Sequence, residues 1–320
     1  MKNVKLPYPK ALWSAARGVR YAPAIALVLM TSSCEKSFIQ ESATSAATSS
    51  ARLSSEPLLT TSYEIEEYSA TQILSKIPEG SKAKAFMEIA AQPRLVRQKV
   101  EFSLFADGSF EIETAPLEPT RTDLLPEPFR KKKYESVLAS KTVVQNNVAH
   151  FYDQNGKETQ SSKLKGTRFN KLAEKILSSS QLNKDEFANE ILGSPLVNEA
   201  YILGVARDKN AEIKTNGIVT EIRFDLESFA EESNESTENL SKYTVQHYDF
   251  KNKRMLGERL YDKQGDKLLY KSTVFYSPVD KGNQMEKVLS ESFFEDPETG
   301  VKTKFIKQAF YTGMKVNLNI

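Results

Sequence analysis

The stretch KYTVQHYDFKNKRMLGERLYDKQGDKLLYKSTVFYS, residues 242–277, decides the fold of this 320-residue chain. It contains three segments in which apolar and polar residues alternate, the period of a half-buried β-strand: 242–250, 254–262 and 267–277. Short polar connections, Lys251-Asn252-Lys253 and Lys263 to Asp266, are typical of hairpin turns. We therefore predict three consecutive antiparallel strands. In the third, one face carries Leu268, Tyr270, Val274 and Tyr276.

The same pattern continues on both sides of this stretch. Two more long strands are predicted near 285–295 and 302–312, and shorter ones are predicted at 200–206, 211–215 and 218–226. Most of the long segments have about nine to eleven residues, whereas a typical strand has about five or six. Long antiparallel strands joined by short turns favour a strongly curved sheet or partial barrel. Helices of 10–15 residues do not alternate with the strands, which argues against a parallel sheet.

The first half of the folded region combines hairpins with short helices. An Asp107-Gly108 turn indicates a hairpin over 99–114, and a second hairpin is predicted from Val143 to Tyr152 with its turn at Asn155-Gly156. Short helices are predicted at Ala70–Ile77, Ser81–Gln92, Phe169–Ile176 and Phe187–Ile191. The predicted fold class is α+β, mainly antiparallel β, with a long-stranded curved sheet or partial barrel and a few short helices packed on it.

The amino terminus has the order of a secretory signal. Residues 1–20 carry five basic and no acidic side chains, an apolar run follows at 21–30, and the only cysteine, Cys34, follows two serines. The apolar run is about ten residues, short of the roughly 20 needed to span a bilayer. This segment resembles the lipobox of bacterial lipoproteins. The resemblance implies that the signal peptide, 1–33, is removed and that Cys34 carries lipid. An ordinary signal peptide with a free cysteine is the alternative.

The rest of the chain divides into a tether and a folded domain. Residues 42–51 are all Ser, Thr or Ala, which cannot bury enough surface to offset the entropy of ordering. We therefore predict a lipid-anchored, disordered tether over 34–62. A single antiparallel-sheet domain is predicted over 63–320, with two halves, 63–195 and 196–320, as the other possible division.

Composition excludes several classes of function. The chain has 44 basic and 42 acidic residues, so it lacks the basic excess of nucleic-acid-binding proteins. One cysteine excludes a disulfide framework and a thiolate metal cluster. Trp13, the only tryptophan, lies in the predicted signal peptide, which argues mildly against a carbohydrate-binding role.

The motifs of common enzymes are absent from the sequence. There is no G-x-S-x-G, H-E-x-x-H or G-x-x-x-x-G-K-[S/T] segment. His150 and His247 each precede a Tyr-Asp pair. One interpretation is a metal or acid–base site with Asp153 and Asp249, and the other is two ordinary strand histidines. The second interpretation is favoured, and we predict no catalytic residue, no metal and no cofactor.

Three segments share the form Tyr-Asp-x-x-Gly/Asn, beginning at Tyr152, Tyr248 and Tyr261. They resemble the Tyr-Asp repeats of bacterial surface shells. Turn chemistry explains them better, because Asp caps a turn and Gly or Asn follows at positive φ.

The aromatic residues indicate where a ligand would bind. Twelve of the chain's 31 aromatic residues lie between 243 and 311, where they form either core or an apolar groove. We predict Tyr270, Phe275 and Tyr276 as ligand-binding residues. The predicted function is a non-catalytic lipoprotein, anchored to the outer membrane and facing the periplasm, which binds a protein partner or an apolar ligand. In outline the fold resembles the lipoprotein carrier and receptor family of the periplasm. An envelope hydrolase with paired carboxylates is the alternative.

Overall fold

The computed structural model describes residues 56–76, 92–130, 140–164, 168–178, 184–193, 197–229, 242–264, 266–295 and 300–319. Cys34, the signal peptide, most of the tether and nearly all of the helix predicted at Ser81–Gln92 lie outside these residues. The described part contains thirteen strands: β1 (Leu59–Ile73), β2 (Arg94–Leu104), β3 (Phe110–Leu117), β4 (Ser140–Gln145), β5 (Val148–Tyr152), β6 (Glu158–Lys163), β7 (Glu212–Asn216), β8 (Val219–Asp225), β9 (Lys242–Asp249), β10 (Arg254–Asp262), β11 (Lys267–Tyr276), β12 (Met285–Glu295) and β13 (Lys302–Leu318).

These strands form one curved, open, antiparallel sheet in the order β6-β5-β4-β3-β2-β1-β13-β12-β11-β10-β9-β8-β7. The chain starts in the middle with β1, runs outward to β6, returns at the far edge with β7 and ends at β13 beside β1. The prediction of a long-stranded antiparallel sheet is confirmed. Both edge strands are fully exposed and carry charged side chains, which discourage pairing with other chains.

Four α-helices accompany the described sheet: α1 (Glu127–Arg130), α2 (Arg168–Ser178), α3 (Lys184–Leu192) and α4 (Glu199–Asp208). The last three cover the same face of the sheet, which we call the helix face. We call the opposite face the outer face. No helix in the described part is long and apolar enough to cross a membrane.

The larger core lies where α2 and α3 meet the central strands. The ring of Phe169 on α2 lies 4.9 Å from Phe102 and 4.7 Å from Phe110, centroid to centroid. On α3, the buried Asn189 accepts a hydrogen bond from the Met285 amide and donates one to the Asn283 carbonyl, both at 2.9 Å. This core combines buried residues from both halves of the chain, including Leu59 on β1.

A smaller core lies under α4. Ala206 on this helix packs with Ile222, Phe224 and Tyr248 from β8 and β9. Cross-strand pairing from β1 through β13 to β8 places Ile222 on the same face as Leu59. The helix face therefore carries two separate cores.

The prediction of a strand at 200–206 is wrong, because these residues belong to α4. The side chain of Asn198 accepts a hydrogen bond from the Tyr201 amide at 3.1 Å and so caps the first turn. The apolar run at this place lacks the polar alternation of a half-buried strand, and a run this short does not distinguish a strand from a helix.

Three other predicted boundaries differ from the structure. The helix predicted at Ala70–Ile77 is wrong where it is described, since β1 runs to Ile73. In the hairpin predicted to turn at Asn155-Gly156, the segment Val143–Tyr152 before that turn holds parts of two strands, joined by a turn in which Asn146 and Asn147 have φ of 51° and 60°. The folded domain also begins before residue 63, because β1 starts at the buried Leu59.

The aspartate cap in the turn explanation for the Tyr-Asp segments is confirmed, whereas, among the described residues, the positive φ falls on the predicted residue only at Gly156 and lies on Lys253 instead of Asn252 in the second segment. The side chain of Asp153 accepts hydrogen bonds from the amides of Asn155 and Lys157, at 2.8 and 3.0 Å. In the other two segments, the side chains of Asp249 and Asp262 accept a bond from the amide two or three residues onward. All three aspartates are therefore turn caps.

Candidate functional site

A region of the helix face lies between the two cores, on strands β9 to β13, and we call its ten residues the strip. The first row of the strip is polar, and its members lie directly opposite one another from strand to strand: Gln246, Glu258, Ser272, Ser290 and Lys307. The second row, two residues along each strand, is Thr244, Leu260, Tyr270, Ser292 and Phe305.

The apolar side chains of the strip are incompletely covered. Leu260, Tyr270 and Phe305 are half-buried, and none belongs to the buried clusters under the helices. Leu260 and Tyr270 are direct neighbours and Ser292 separates Tyr270 from Phe305; half-buried aliphatic and aromatic side chains in one row can accept an apolar group.

Burial shifts the pKa of Glu258 and Tyr270 in the strip, and that of Tyr248 beside it, towards the neutral forms. Glu258 has no hydrogen bond or ion pair with any residue in the described ranges, and burial raises the pKa of its carboxyl group. Burial, with a smaller effect from Glu258, raises the pKa of Tyr248 to about 12, and its hydroxyl donates to the Gln246 side chain at 2.5 Å. Burial also raises the pKa of Tyr270, against the opposing effect of the Ser272 and Ser290 hydroxyls. Glu258 and Tyr270 thus place polar groups shifted towards their neutral forms beside apolar side chains, while Lys307, at the end of the first row, contacts Glu67.

A group of buried polar side chains lies near one end of the strip, on the central strands. Lys307 Nζ lies 2.7 Å from Glu67 Oε1, and burial raises the pKa of Glu67 although Lys307 opposes this shift. Nearby on the helix face, the hydroxyls of Thr61 and Tyr311 and the amide nitrogen of Gln98 are buried without a hydrogen-bond partner in the described part of the chain. Unpaired buried polar atoms are uncommon in folded proteins.

The structure divides the three predicted ligand-binding residues between the two faces. Tyr270 and Tyr276 lie on the helix face, where the Tyr276 hydroxyl donates to the Met255 carbonyl at 2.9 Å. Phe275 lies on the outer face, is 44% exposed, and has the Lys287 ammonium 5.3 Å from its ring. Neighbouring residues of a strand point to opposite faces, so Phe275 and Tyr276 do not contribute to one surface.

The prediction that Leu268 shares a face with Tyr270 is also wrong. The pairing of β10 with β11 shifts by one residue between Leu260 and Tyr261, so Leu268 lies opposite Tyr261 while Tyr270 lies opposite Leu260. This bulge moves Leu268 to the outer face.

The two histidines lie far apart in the sheet. His150 is on β5 and His247 on β9, nine strand positions away. Each has a glutamate of the neighbouring strand 3.1 Å from a ring nitrogen, Glu158 for the first and Glu221 for the second. Within the described ranges, no group of three or more potential ligands is arranged to hold a metal ion.

The buried carboxylates of the helix face are also separated. Glu67 on β1 and Glu258 on β10 lie four strands apart, or roughly 19 Å at about 4.8 Å per strand. Glycoside hydrolysis needs two carboxylates at most about 9.5 Å apart. These two residues do not form such a pair.

A second concave feature lies on the outer face of β8 to β10, and sequence reasoning missed it. An open cavity of about 260 Å³ is lined by Arg223, Tyr243, Val245, Arg259 and Tyr261, together with charged residues of β7 and β8. The Arg223 guanidinium lies 3.8 Å from the centroid of the Tyr243 ring, which stacks on Tyr261 at 4.9 Å. Alternation predicts these side chains on an outer face, but only the register shows that they are neighbours.

Comparison with known proteins gives no family assignment. No protein-family model matches the sequence, and no curated protein matches it. Among solved structures, a LolA superfamily protein from Nitrosomonas europaea is similar with a TM-score of 0.31 and 10% identity, covering 81% of this chain and 86% of its own. An outer membrane lipoprotein-sorting protein domain from Vibrio parahaemolyticus gives 0.33 and 11%, covering 82% and 86%. Structures this dissimilar do not establish the family or the function of this chain. The candidate sites are therefore inferred from the geometry of this chain alone.

Proposed function

We propose that this protein is a membrane-anchored envelope lipoprotein that binds an apolar ligand, without catalysis, on the strip of its helix face. The observation that supports the proposal is the row in the strip in which Leu260, Tyr270 and Phe305 are half-buried and belong to neither of the two cores under the helices. The anchor is proposed from the lipobox-like segment that ends at Cys34.

The dimensions of the strip suit a long, narrow ligand. Five strands, β9 to β13, contribute to it, which gives a length of roughly 19 Å at about 4.8 Å per strand. Leu260, Tyr270 and Phe305 would contact such a ligand along one side. An extended acyl chain has this shape.

The polar row favours an amphiphile over a plain hydrocarbon. The hydroxyls of Ser272 and Ser290 lie beside the Glu258 carboxyl group in this row, and a hydroxyl can donate a hydrogen bond. These groups would pair with the ester or carboxyl oxygens of a lipid, and the apolar row would contact its chain. A hydrolase would need a second carboxylate near Glu258, and Glu67 is too distant to serve.

The test measures binding of dansyl-labelled undecanoic acid by its fluorescence. The full-length chain carries Cys34→Ser, so that no attached lipid competes with the probe. We expect saturable binding, and we expect Tyr270→Ala to weaken it about tenfold, which corresponds to roughly 1.4 kcal/mol of lost apolar contact.

Phe275→Ala is the matched control, because it removes an aromatic ring from the same strand on the opposite face. It should leave probe affinity within about twofold of the parent chain. Equal losses in both variants, or a probe signal that never saturates, would contradict binding on the strip. Thermal melts of each variant establish that a loss of binding is not a loss of folding.

A further inference from the structure

We propose a second ligand site, for a phosphate group, on the outer face of β8 to β10, with Arg223 and Arg259 as its binding residues. The open cavity there has a volume of about 260 Å³, many times the roughly 30 Å³ that one water molecule occupies in the liquid. This site is on the face opposite the strip, so it is independent of the proposed binding of an apolar ligand.

The register of the sheet brings the two arginines to one surface. Val245 on β9 lies directly opposite Arg223 on β8 and directly opposite Arg259 on β10. The two Cα atoms are therefore two strand spacings apart, roughly 10 Å. Both side chains are exposed, and their length lets both guanidinium groups reach a ligand above Val245.

Aromatic stacking holds Arg223 in position before any ligand binds. Its guanidinium lies over the ring of Tyr243, which stacks on Tyr261 with an angle of 12° between the ring planes. Tyr243 is itself fixed, because it is buried and its hydroxyl donates to Asp266 Oδ1 at 2.9 Å. A guanidinium stacked by its face keeps its N–H groups free at the edges, and pre-ordering lowers the entropy lost on binding.

The acidic residues around the cavity have other partners. Glu212 lies 2.7 Å from Lys214, and Glu221 lies 3.1 Å from His247. Asp225 and Glu227 both contact Lys263, at 3.5 and 3.2 Å. Across the described ranges, neither Arg223 nor Arg259 has a carboxylate within 4.0 Å. Glu212 lies directly opposite Arg223 and feels its charge, so the lining, with Lys214, Arg223 and Arg259 against Glu212 and Glu221, keeps one net positive charge.

The arrangement favours phosphate over a carboxylate. A planar carboxylate commonly fills the fork of one guanidinium with two parallel hydrogen bonds. Two guanidinium groups that approach from different strands can both donate hydrogen bonds to one tetrahedral group, because its oxygens point in several directions. A phosphate ester would therefore bind both arginines.

The test titrates inorganic phosphate into the full-length Cys34→Ser chain at constant ionic strength, by isothermal titration calorimetry. We expect saturable binding that Arg223→Gln and Arg259→Gln each weaken by about tenfold or more. Lys99→Gln is the control, since it also removes one exposed positive charge from the outer face, on β2. It should change the affinity by less than about twofold.

Two results would overturn the proposal. One is no saturable heat with the parent chain, and the other is equal binding by all three variants. If Arg223→Gln fails to fold because it loses the aromatic stack, the test rests on Arg259→Gln, because Arg259 makes no such stacking contact in the described part of the chain.

Two further probes identify the source of the phosphate. One is sn-glycerol 3-phosphate, and the other is a vesicle of phosphatidylglycerol in phosphatidylcholine, with pure phosphatidylcholine for comparison. Vesicle binding that needs phosphatidylglycerol and falls in Arg259→Gln supports a lipid headgroup. Binding of the two soluble phosphates without such vesicle binding supports a free phosphate ester.

Discussion

Replacing Tyr311 by Phe should make the protein more stable, which is the reverse of the usual effect of a core substitution. Tyr311 is 6% exposed, and its hydroxyl has no hydrogen-bond partner among the residues that the structure describes. Burial, together with the nearby Glu67 and Tyr63, raises its pKa well above the ordinary value, so the hydroxyl stays neutral. A buried polar group without a partner costs about 1–3 kcal/mol. Because Phe keeps the ring, we expect the free energy of unfolding to rise by about 1 kcal/mol.

Tyr243→Phe is the matched control, because Tyr243 is also 6% exposed but donates a hydrogen bond to Asp266. That variant should lose about 1.5–3 kcal/mol, since the acceptor is a carboxylate oxygen. Urea unfolding followed by circular dichroism measures both changes, with equal m values as the check that the unfolding reaction is the same. If Tyr311→Phe is destabilised as much as Tyr243→Phe, the Tyr311 hydroxyl has a partner such as an ordered water, and the reasoning fails.

Two other predictions concern the anchor and a buried acid. Cys34→Ser should move the protein from the membrane fraction to the soluble fraction or leave it unprocessed, because acyl chains contribute roughly 0.8 kcal/mol of membrane binding per buried CH₂. A variant that is cleaved normally and stays on membranes would refute the lipid anchor. Burial raises the pKa of Glu258 from 4.5, so the folded state holds this proton more tightly than the unfolded state and stability falls as the pH rises through the raised value. Glu258→Gln should remove this loss of stability, so the free energy of unfolding of the variant should fall less than that of the parent between pH 4.5 and neutrality. Parallel pH profiles for parent and variant in urea melts would contradict a raised pKa at Glu258.

The long strands of the second half were predictable because their alternation extends over eight or more residues and polar turns separate them. Predictions from shorter sequence patterns were wrong. Asn146-Asn147 lacks the glycine that usually marks a two-residue hairpin turn, and the apolar run at 200–206 is too short for its period to distinguish a strand from a helix.

The candidate sites were only partly predictable, because the face on which a side chain lies depends on register. Alternation correctly placed Tyr270, Val274 and Tyr276 together, but the bulge opposite Leu260 moved Leu268 to the other face. A bulge places two residues of one strand opposite one residue of its neighbour, and no side-chain pattern in this segment predicts it. The cavity at Arg223 and Arg259 depends on the pairing of three strands, which a single sequence does not specify.

The position of β1 beside β13 has a consequence for how the domain is made. Fourteen residue pairs join the two strands, from Leu59 with Leu318 to Ile73 with Thr303. Because β13 is the last strand to be synthesised, β1 can pair with it only when almost the whole domain has been made. Contacts at this sequence separation form slowly, and the strands before and after the midpoint of the chain can assemble only as two separate ribbons until residues 302–318 arrive. During that interval β1 and β12 each present an open edge, the kind of surface that recruits other chains. A chain that ends before residue 302 would keep both edges permanently, and aggregation is its expected fate.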